Sequence, residues 1–133
     1  MEISTKQIAS ILSTEPTVIA VYLFGSHARS TASKDSDIDI AVATNKKHDY
    51  SFFYEKLQTV IDEQYDMREI TLDSSPLFLF EVIRNGVVLY EKTPHDRLTF
   101  EAQALLRYYD TAYLRTRYSN RLAHAFAEGS YGH

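Results

Sequence analysis

The sequence has 133 residues, 44% of them hydrophobic, and 14 lysines and arginines stand against 18 aspartates and glutamates for a formal net charge of −4. This length and apolar content fit one domain with a buried core and argue against intrinsic disorder, and the acidic balance argues against sequence-independent nucleic-acid binding. The absence of cysteine excludes disulfides, thiolate catalysis and thiolate metal sites.

Membrane and secretion signals are not apparent in the pattern. No apolar run reaches the roughly 18–20 residues that span a bilayer. The first residues lack the basic and then apolar order of a secretory signal. We therefore expect a cytoplasmic protein without a membrane partner.

Hydrophobic periodicity divides the chain into helices and strands. The run over 18–24 is apolar and β-branched, which indicates a strand buried on both faces, and Gly25 ends it. Ser75 followed by Pro76 is typical of a helix start. In chain order the pattern predicts a helix over 4–13, strand 18–24, a short helix or turn over 28–33, strand 37–43, helix 49–64, strand 66–72, helix 76–84, strand 87–90 and a long helix over 94–128.

This order predicts an α+β (α/β) fold, with a small mixed β-sheet flanked by helices and a long C-terminal helix. We expect a single domain over 1–133, with a core of about residues 1–92 and the last helix over about 94–128. The tyrosine-rich surface of that helix is interpreted as core and interface packing. Its apolar residues recur at helical spacing at Leu98, Ala102, Leu105, Tyr109, Ala112 and Tyr113.

The segment after the first predicted strand has the features of an anion site. A buried strand that ends in Gly25 and Ser26 and leads into a turn presents backbone N–H groups to a phosphate. Glycine allows close approach of the backbone, and the serine adds a hydroxyl donor. Arg29 follows closely, either as a triphosphate ligand or as a solvated turn residue.

Two acidic residues on the second predicted strand point to a metal. Asp37 and Asp39 lie two residues apart, so both project from one face of the strand. Ile38 and Ile40 then take the core face. Two unit charges 4 Å apart repel by about 4 kcal/mol at an effective dielectric constant of about 20. Either a divalent cation between them or protonation of one carboxylate relieves that repulsion, and hard carboxylate oxygens suit Mg²⁺ beneath a triphosphate.

A third carboxylate would complete a two-metal site. Asp66 opens the third predicted strand beside the second and is the preferred candidate. Glu69 has the opposite strand parity, so only one of the two can face the cleft. The alternative at this point remains open.

Together these residues resemble a known family signature. Gly25-Ser26, ten intervening residues and Asp37-Ile38-Asp39 resemble the motif of the minimal nucleotidyltransferase (MNT) family of the DNA-polymerase-β-like superfamily. The chain's size and its long last helix resemble the antitoxin member of HEPN/MNT toxin–antitoxin pairs.

The resemblance implies a polymerase-β-like nucleotidyltransferase core and an activity. Such antitoxins use Mg²⁺ to transfer AMP from ATP to a tyrosine hydroxyl of a cognate HEPN toxin, which is an RNase, and form a hetero-oligomer with it. By motif match, the implied catalytic and metal residues are Asp37, Asp39 and Asp66, and the implied nucleotide-binding residues are Gly25, Ser26 and Arg29. The strand from Asp66 to Glu69 is more polar than is usual in that family.

Two other functions share parts of this pattern. A small-molecule nucleotidyltransferase, for example one that modifies aminoglycosides, has the same core motif and differs in its acceptor. An antitoxin that only occludes its toxin needs no catalysis. The acceptor that receives label from ATP distinguishes the first alternative, and neutralisation of the toxin by an Asp37→Ala/Asp39→Ala variant distinguishes the second.

Overall fold

The computed structural model describes residues 2–25, 38–49, 51–57 and 65–127, without the side chains of 2–4 and 126. The predicted turn over 28–33 and the second half of the predicted helix 49–64 lie outside these ranges. The other predicted elements are confirmed, with bounds shifted by at most two residues except at the start of the second helix. The elements are α1 Glu2–Leu12, β1 Val18–Phe24, β2 Ile38–Thr44, α2 Phe52–Leu57, β3 Tyr65–Ile70, α3 Pro76–Asn85, β4 Val87–Glu91 and α4 Pro94–Ala127.

The four described strands form one mixed sheet in the order β3-β2-β1-β4. β1 is antiparallel to both β2 and β4, while β2 is parallel to β3. A parallel pair needs a crossover connection, and the segment that contains α2 joins β2 to β3. The N-terminal ends of β2 and β3 therefore lie at the same edge of the sheet as the C-terminal end of β1.

Each face of the sheet is covered by helices. On one face α1 and α2 pack over a core that includes Ile8, Leu12, Val21, Ile38, Ile40, Val42, Phe53, Leu57, Tyr65 and Met67. On the other face α3 and α4 pack over Ala20, Tyr22, Ala41, Ala43, Ile70, Leu79, Val82, Phe100 and Ala104. The alternation along β2 follows from strand pleating, and it places even-numbered residues toward α1 and odd-numbered ones toward α4.

The start and end of α3 follow the sequence signals. The Ser75 hydroxyl oxygen accepts a hydrogen bond from the Phe78 N–H at 3.4 Å, and Pro76 occupies the first turn. After the last turn, the Gly86 N–H donates to the Val82 carbonyl at 2.8 Å. A side chain at Gly86 would collide with that carbonyl, so the close approach itself requires glycine.

α4 is fastened to the sheet by a buried polar group. Tyr22 is 1% exposed, and its hydroxyl donates to Glu101 Oε2 at 2.7 Å. Arg97 joins Glu101 at 2.9 Å and Glu91 at 2.5 Å. Burial, together with the hydrogen bond to Glu101, raises the pKa of Tyr22 well above its usual range. The network links β1, β4 and α4.

The stripe on α4 interpreted as core and interface packing lies outside the core at Leu98, Tyr109 and Tyr113, so the core part of that prediction is wrong for these residues. Leu98, Tyr109 and Tyr113 are 55%, 63% and 67% exposed. The sheet-facing side instead carries Phe100 and Ala104. Spacing identifies a helical stripe but not the direction in which that stripe faces. None of the described helices is both long and apolar enough to cross a membrane.

Candidate active site

Asp39 lies on the α4-side face of β2, near the strand's start. Its neighbours Ile38 and Ile40 are 3% and 1% exposed in the opposite core, as the alternation predicts. In register, Asp39 pairs with Phe24 of β1 and with Asp66 of β3. Adjacent strands are about 4.8 Å apart, so the Asp39 and Asp66 side chains project from the same face as immediate neighbours.

Gly25 brings the main chain directly against the Asp39 carboxylate. It ends β1 with φ of 79°, in the left-handed region that favours glycine. A Cβ built at this position would overlap Asp39 Oδ2. Both the backbone conformation and the space beside the carboxylate therefore require glycine, and the carboxylate oxygen sits where the chain leaves β1.

The candidate third carboxylates have different surroundings. The register places Asp66 beside Asp39, while Glu69 lies beside Val42, nearer the other end of the sheet. Glu69 accepts hydrogen bonds from the Thr44 hydroxyl at 2.7 Å and from the His48 backbone N–H at 3.0 Å. Protein donors thus already engage Glu69, and the geometry favours Asp66 as a ligand partner of Asp39.

The sequence reasoning did not identify Arg68 as part of this region. Its Nε lies 3.4 Å from Asp66 Oδ2, and its guanidinium carbon lies 5.5 Å from the centroid of the Phe78 ring. Phe78 in turn packs edge-on against Phe24, with the ring centroids 5.6 Å apart. The available signal was spacing, because residues 66 and 68 share one face of a strand.

Part of the predicted site lies outside the described residues. Ser26, Arg29 and Asp37 belong to that part, so their predicted roles stay predictions. Within the described ranges, no group of three or more histidine, cysteine, aspartate or glutamate side chains could hold a metal ion. The described contribution consists of the carboxylates of Asp39 and Asp66, whose hard oxygens suit a hard divalent cation.

A cavity of about 480 Å³ opens at the other end of the sheet. Thr44, Asn45 and Thr71 line it from the ends of β2 and β3, and His95 and Gln103 line it from α4. Of the predicted site residues that the structure describes, Gly25, Asp39 and Asp66 do not line it. We therefore place the candidate chemistry at the Asp39 end, where neighbouring carboxylates and a required glycine coincide.

Comparison with protein-family models gives one match over most of the chain. The model described as polymerase beta, nucleotidyltransferase, matches residues 6–95. This range contains Gly25, Asp39 and Asp66 and ends at the start of α4. A comparison with curated protein sequences finds no significant match.

Solved structures share the fold over nearly the whole chain. A chain from the complex of tri-AMPylated Shewanella oneidensis HEPN toxin with MNT antitoxin is 22% identical, with a TM-score of 0.71 over 92% of this chain and 98% of that chain. A chain from a toxin–antitoxin structure with AMP-PNP is 26% identical, with a TM-score of 0.71 over 90% and 98%. A chain from the MntA–HepT toxin–antitoxin structure is 23% identical, with a TM-score of 0.70 over 92% and 99%.

Proposed function

The chain belongs to the polymerase β nucleotidyltransferase family, and we propose that it is a cytoplasmic antitoxin that transfers AMP from ATP to a tyrosine hydroxyl of a HEPN toxin. The observation that carries this proposal is the position of Asp39, against Gly25 and beside Asp66, at the end of β1. Support for the partner comes from the similarity to chains of HEPN–MNT complexes, which extends over α4.

We propose that Mg²⁺ is held by Asp37, Asp39 and Asp66, with the triphosphate held by Gly25, Ser26 and Arg29. The fit rests on the donor type and on Gly25, because any side chain there would occupy the space beside the Asp39 oxygen. When bound, the metal supplies charge neutralisation on the phosphates and a lower pKa for the attacking hydroxyl.

The transfer itself asks little covalent chemistry of the protein. The tyrosine oxygen forms a bond to the α-phosphorus, and the bond from that phosphorus to the oxygen bridging it to the β-phosphate breaks. Pyrophosphate leaves, and the tyrosine proton passes to water. The protein's contribution is positioning: Asp39 and Asp66 would hold the cation that neutralises the phosphates, and the Gly25 main chain lets the phosphates approach closely.

The proposed toxin-binding surface is the exposed apolar stripe of α4, formed by Leu98, Ala102, Leu106, Tyr109 and Tyr113. Its large members are each more than half exposed. Aromatic residues are enriched at the centres of protein interfaces. An exposed apolar helix face suits a helical partner, and the proposed occupant is the HEPN toxin.

The test uses ATP labelled at the α-phosphate, Mg²⁺ and a purified candidate HEPN toxin. We expect label on a tyrosine of the toxin, and a hundred- to thousandfold slower transfer by Asp39→Asn with an unchanged melting temperature. Asp73→Asn, an exposed aspartate near the opposite end of the sheet, is the control and retains full activity.

Two outcomes would replace the proposal. Full neutralisation of the toxin by Asp39→Asn without label transfer would favour an antitoxin that acts by binding alone. Label on an aminoglycoside rather than on protein would favour a small-molecule nucleotidyltransferase.

A further inference from the structure

Arg68 lies next to the proposed metal-binding carboxylates and forms a weak ion pair with one of them, Asp66. Its side chain projects from β3 on the Asp39 face, beside Ala41 in register. It is 59% exposed, and the carboxylate it contacts, Asp66, is 42% exposed. Ion pairs this accessible to water contribute little to stability, so the pair can separate at low cost.

Phe78 would keep the guanidinium near the site after such a separation. The ring lies under the guanidinium at 5.5 Å, a distance at which a cation is attracted to an aromatic face. Phe24 holds that ring edge-on and is itself the register neighbour of Asp39. The ring therefore offers Arg68 a fixed support on the same face as both carboxylates.

Resting on the proposed function, we infer that Arg68 exchanges partners when metal and nucleotide bind. Without metal it neutralises Asp66. A divalent cation on the Asp66 oxygens repels the guanidinium from them, and the triphosphate brings new negative charge to the same face. The guanidinium then donates to phosphate oxygens, for which its planar set of N–H groups is well suited. Arg68 is thus a nucleotide-positioning residue that competes with the metal for the Asp66 carboxylate when no nucleotide is bound.

This exchange predicts two effects of opposite sign in Arg68→Ala. Mn²⁺ alone, used in place of Mg²⁺, binds about two- to fivefold more tightly because the guanidinium that competes for Asp66 is gone. AMP-PNP in the presence of Mn²⁺ binds about tenfold more weakly because a charged phosphate contact is gone. Calorimetry measures both affinities without any turnover.

Two further variants separate this role from a structural one. Arg68→Lys keeps the charge but not the planar donors, so we expect near-wild-type Mn²⁺ affinity and partial recovery of AMP-PNP affinity. Arg84→Ala is the matched control, because Arg84 is also an exposed arginine over a phenylalanine, with its guanidinium carbon 5.8 Å from the Phe80 centroid. It should change neither affinity.

The inference is overturned if Arg68→Ala weakens both affinities together, which a structural role would produce, or if it changes neither. If the wild-type protein binds neither Mn²⁺ nor AMP-PNP, the proposed function itself fails. The two failures are therefore distinguishable in one set of titrations.

Discussion

Two acidic side chains of β3, three residues apart, have opposite surroundings. Glu69 is 13% exposed and receives the Thr44 hydroxyl at 2.7 Å and His48 Nδ1–H at 2.8 Å. Asp66 is 42% exposed and forms an ion pair at 3.4 Å with Arg68, which is still more exposed. A carboxylate surrounded by protein donors serves the fold, whereas one with a loose, exposed partner retains oxygens for an external cation.

Through His48, the contacts of Glu69 link the sheet to α2. His48 also lies 3.0 Å from the Thr17 hydroxyl through Nε2. Its ring stacks on Phe52, with the centroids 4.3 Å apart. Because a carboxylate cannot donate, the proton on Nδ1 is fixed by Glu69, and His48 links β3 and α2 to the residue that precedes β1. The difference between the two carboxylates is therefore one of engagement, not of charge.

The largest effect that tests this comparison is expected for Asp66→Asn. If Asp66 is a metal ligand, transfer to the toxin falls about a hundredfold, while the free energy of unfolding stays the same or rises slightly because one charge beside Asp39 is removed. Initial rates with α-labelled ATP and urea denaturation measure the two quantities. Full activity in this variant would contradict the role of Asp66.

Glu69→Gln should show the reverse pattern. The substitution removes the charge that holds His48 and Thr44, so we expect the free energy of unfolding to fall by about 1–3 kcal/mol with no change in the rate of transfer by folded protein. Glu81→Gln is the control, since the exposed Glu81 accepts a local hydrogen bond from Asn85 at 3.0 Å. Lost transfer at unchanged stability would identify Glu69 as the third ligand.

A smaller effect is expected where the same contrast appears on α4. Tyr113 is 67% exposed, whereas Tyr108 stacks on Phe80 with the centroids 4.0 Å apart. Tyr113→Ala should weaken toxin binding about tenfold at unchanged stability. Tyr108→Ala should instead destabilise the fold, by about 1–2 kcal/mol. Surface plasmon resonance and thermal melting measure this pair, and unaltered toxin binding by Tyr113→Ala would remove α4 as the docking face.

Local sequence patterns predicted the helices and strands, but they could not predict which strands pair or in what register. The bounds of β1 and the proline-started α3 follow from short-range chemistry: β1 has the predicted bounds, and α3 begins as predicted and ends one residue later. The alternation of side chains along a strand showed that only one of Asp66 and Glu69 can face the cleft. The β2–β3 register was needed to place Asp66 beside Asp39. The contact of Arg68 with Phe78 joins two elements, and no spacing along the chain reveals it.

The direction of α4 was missed for a related reason. A helical stripe that contains Tyr109 and Tyr113 is equally compatible with a buried or an exposed face. The side that packs on the sheet is partly polar, because Arg97 and Glu101 complete the network with Tyr22. An apolar stripe thus gives the wrong face when the buried contact is made through paired charges.

The comparison also applies to Glu101, a carboxylate on α4 that, like Glu69, accepts hydrogen bonds from buried protein groups, here from the Tyr22 hydroxyl. Burial and the Glu101 hydrogen bond raise the pKa of Tyr22 in the folded protein, whereas in the unfolded chain the phenol titrates near its ordinary value of 10.0. Above that pH the unfolded state has lost a proton that the native state retains, so the free energy of unfolding falls as pH rises. Tyr22→Phe should cost about 1 kcal/mol at neutral pH and make the alkaline decline shallower.

Urea denaturation at pH 7 and at about pH 10.5 measures both parts of this prediction. Tyr118→Phe, on the exposed part of α4, is the control and keeps the wild-type values at both pH values. An alkaline decline in Tyr22→Phe as steep as in the wild type would show that the Tyr22–Glu101 bond does not hold the phenol in its protonated form. α4 would then be held to the sheet by the ion pairs of Arg97 with Glu91 and Glu101. At this site the carboxylate of Glu101 would be stabilised by a cation rather than by a neutral hydrogen-bond donor.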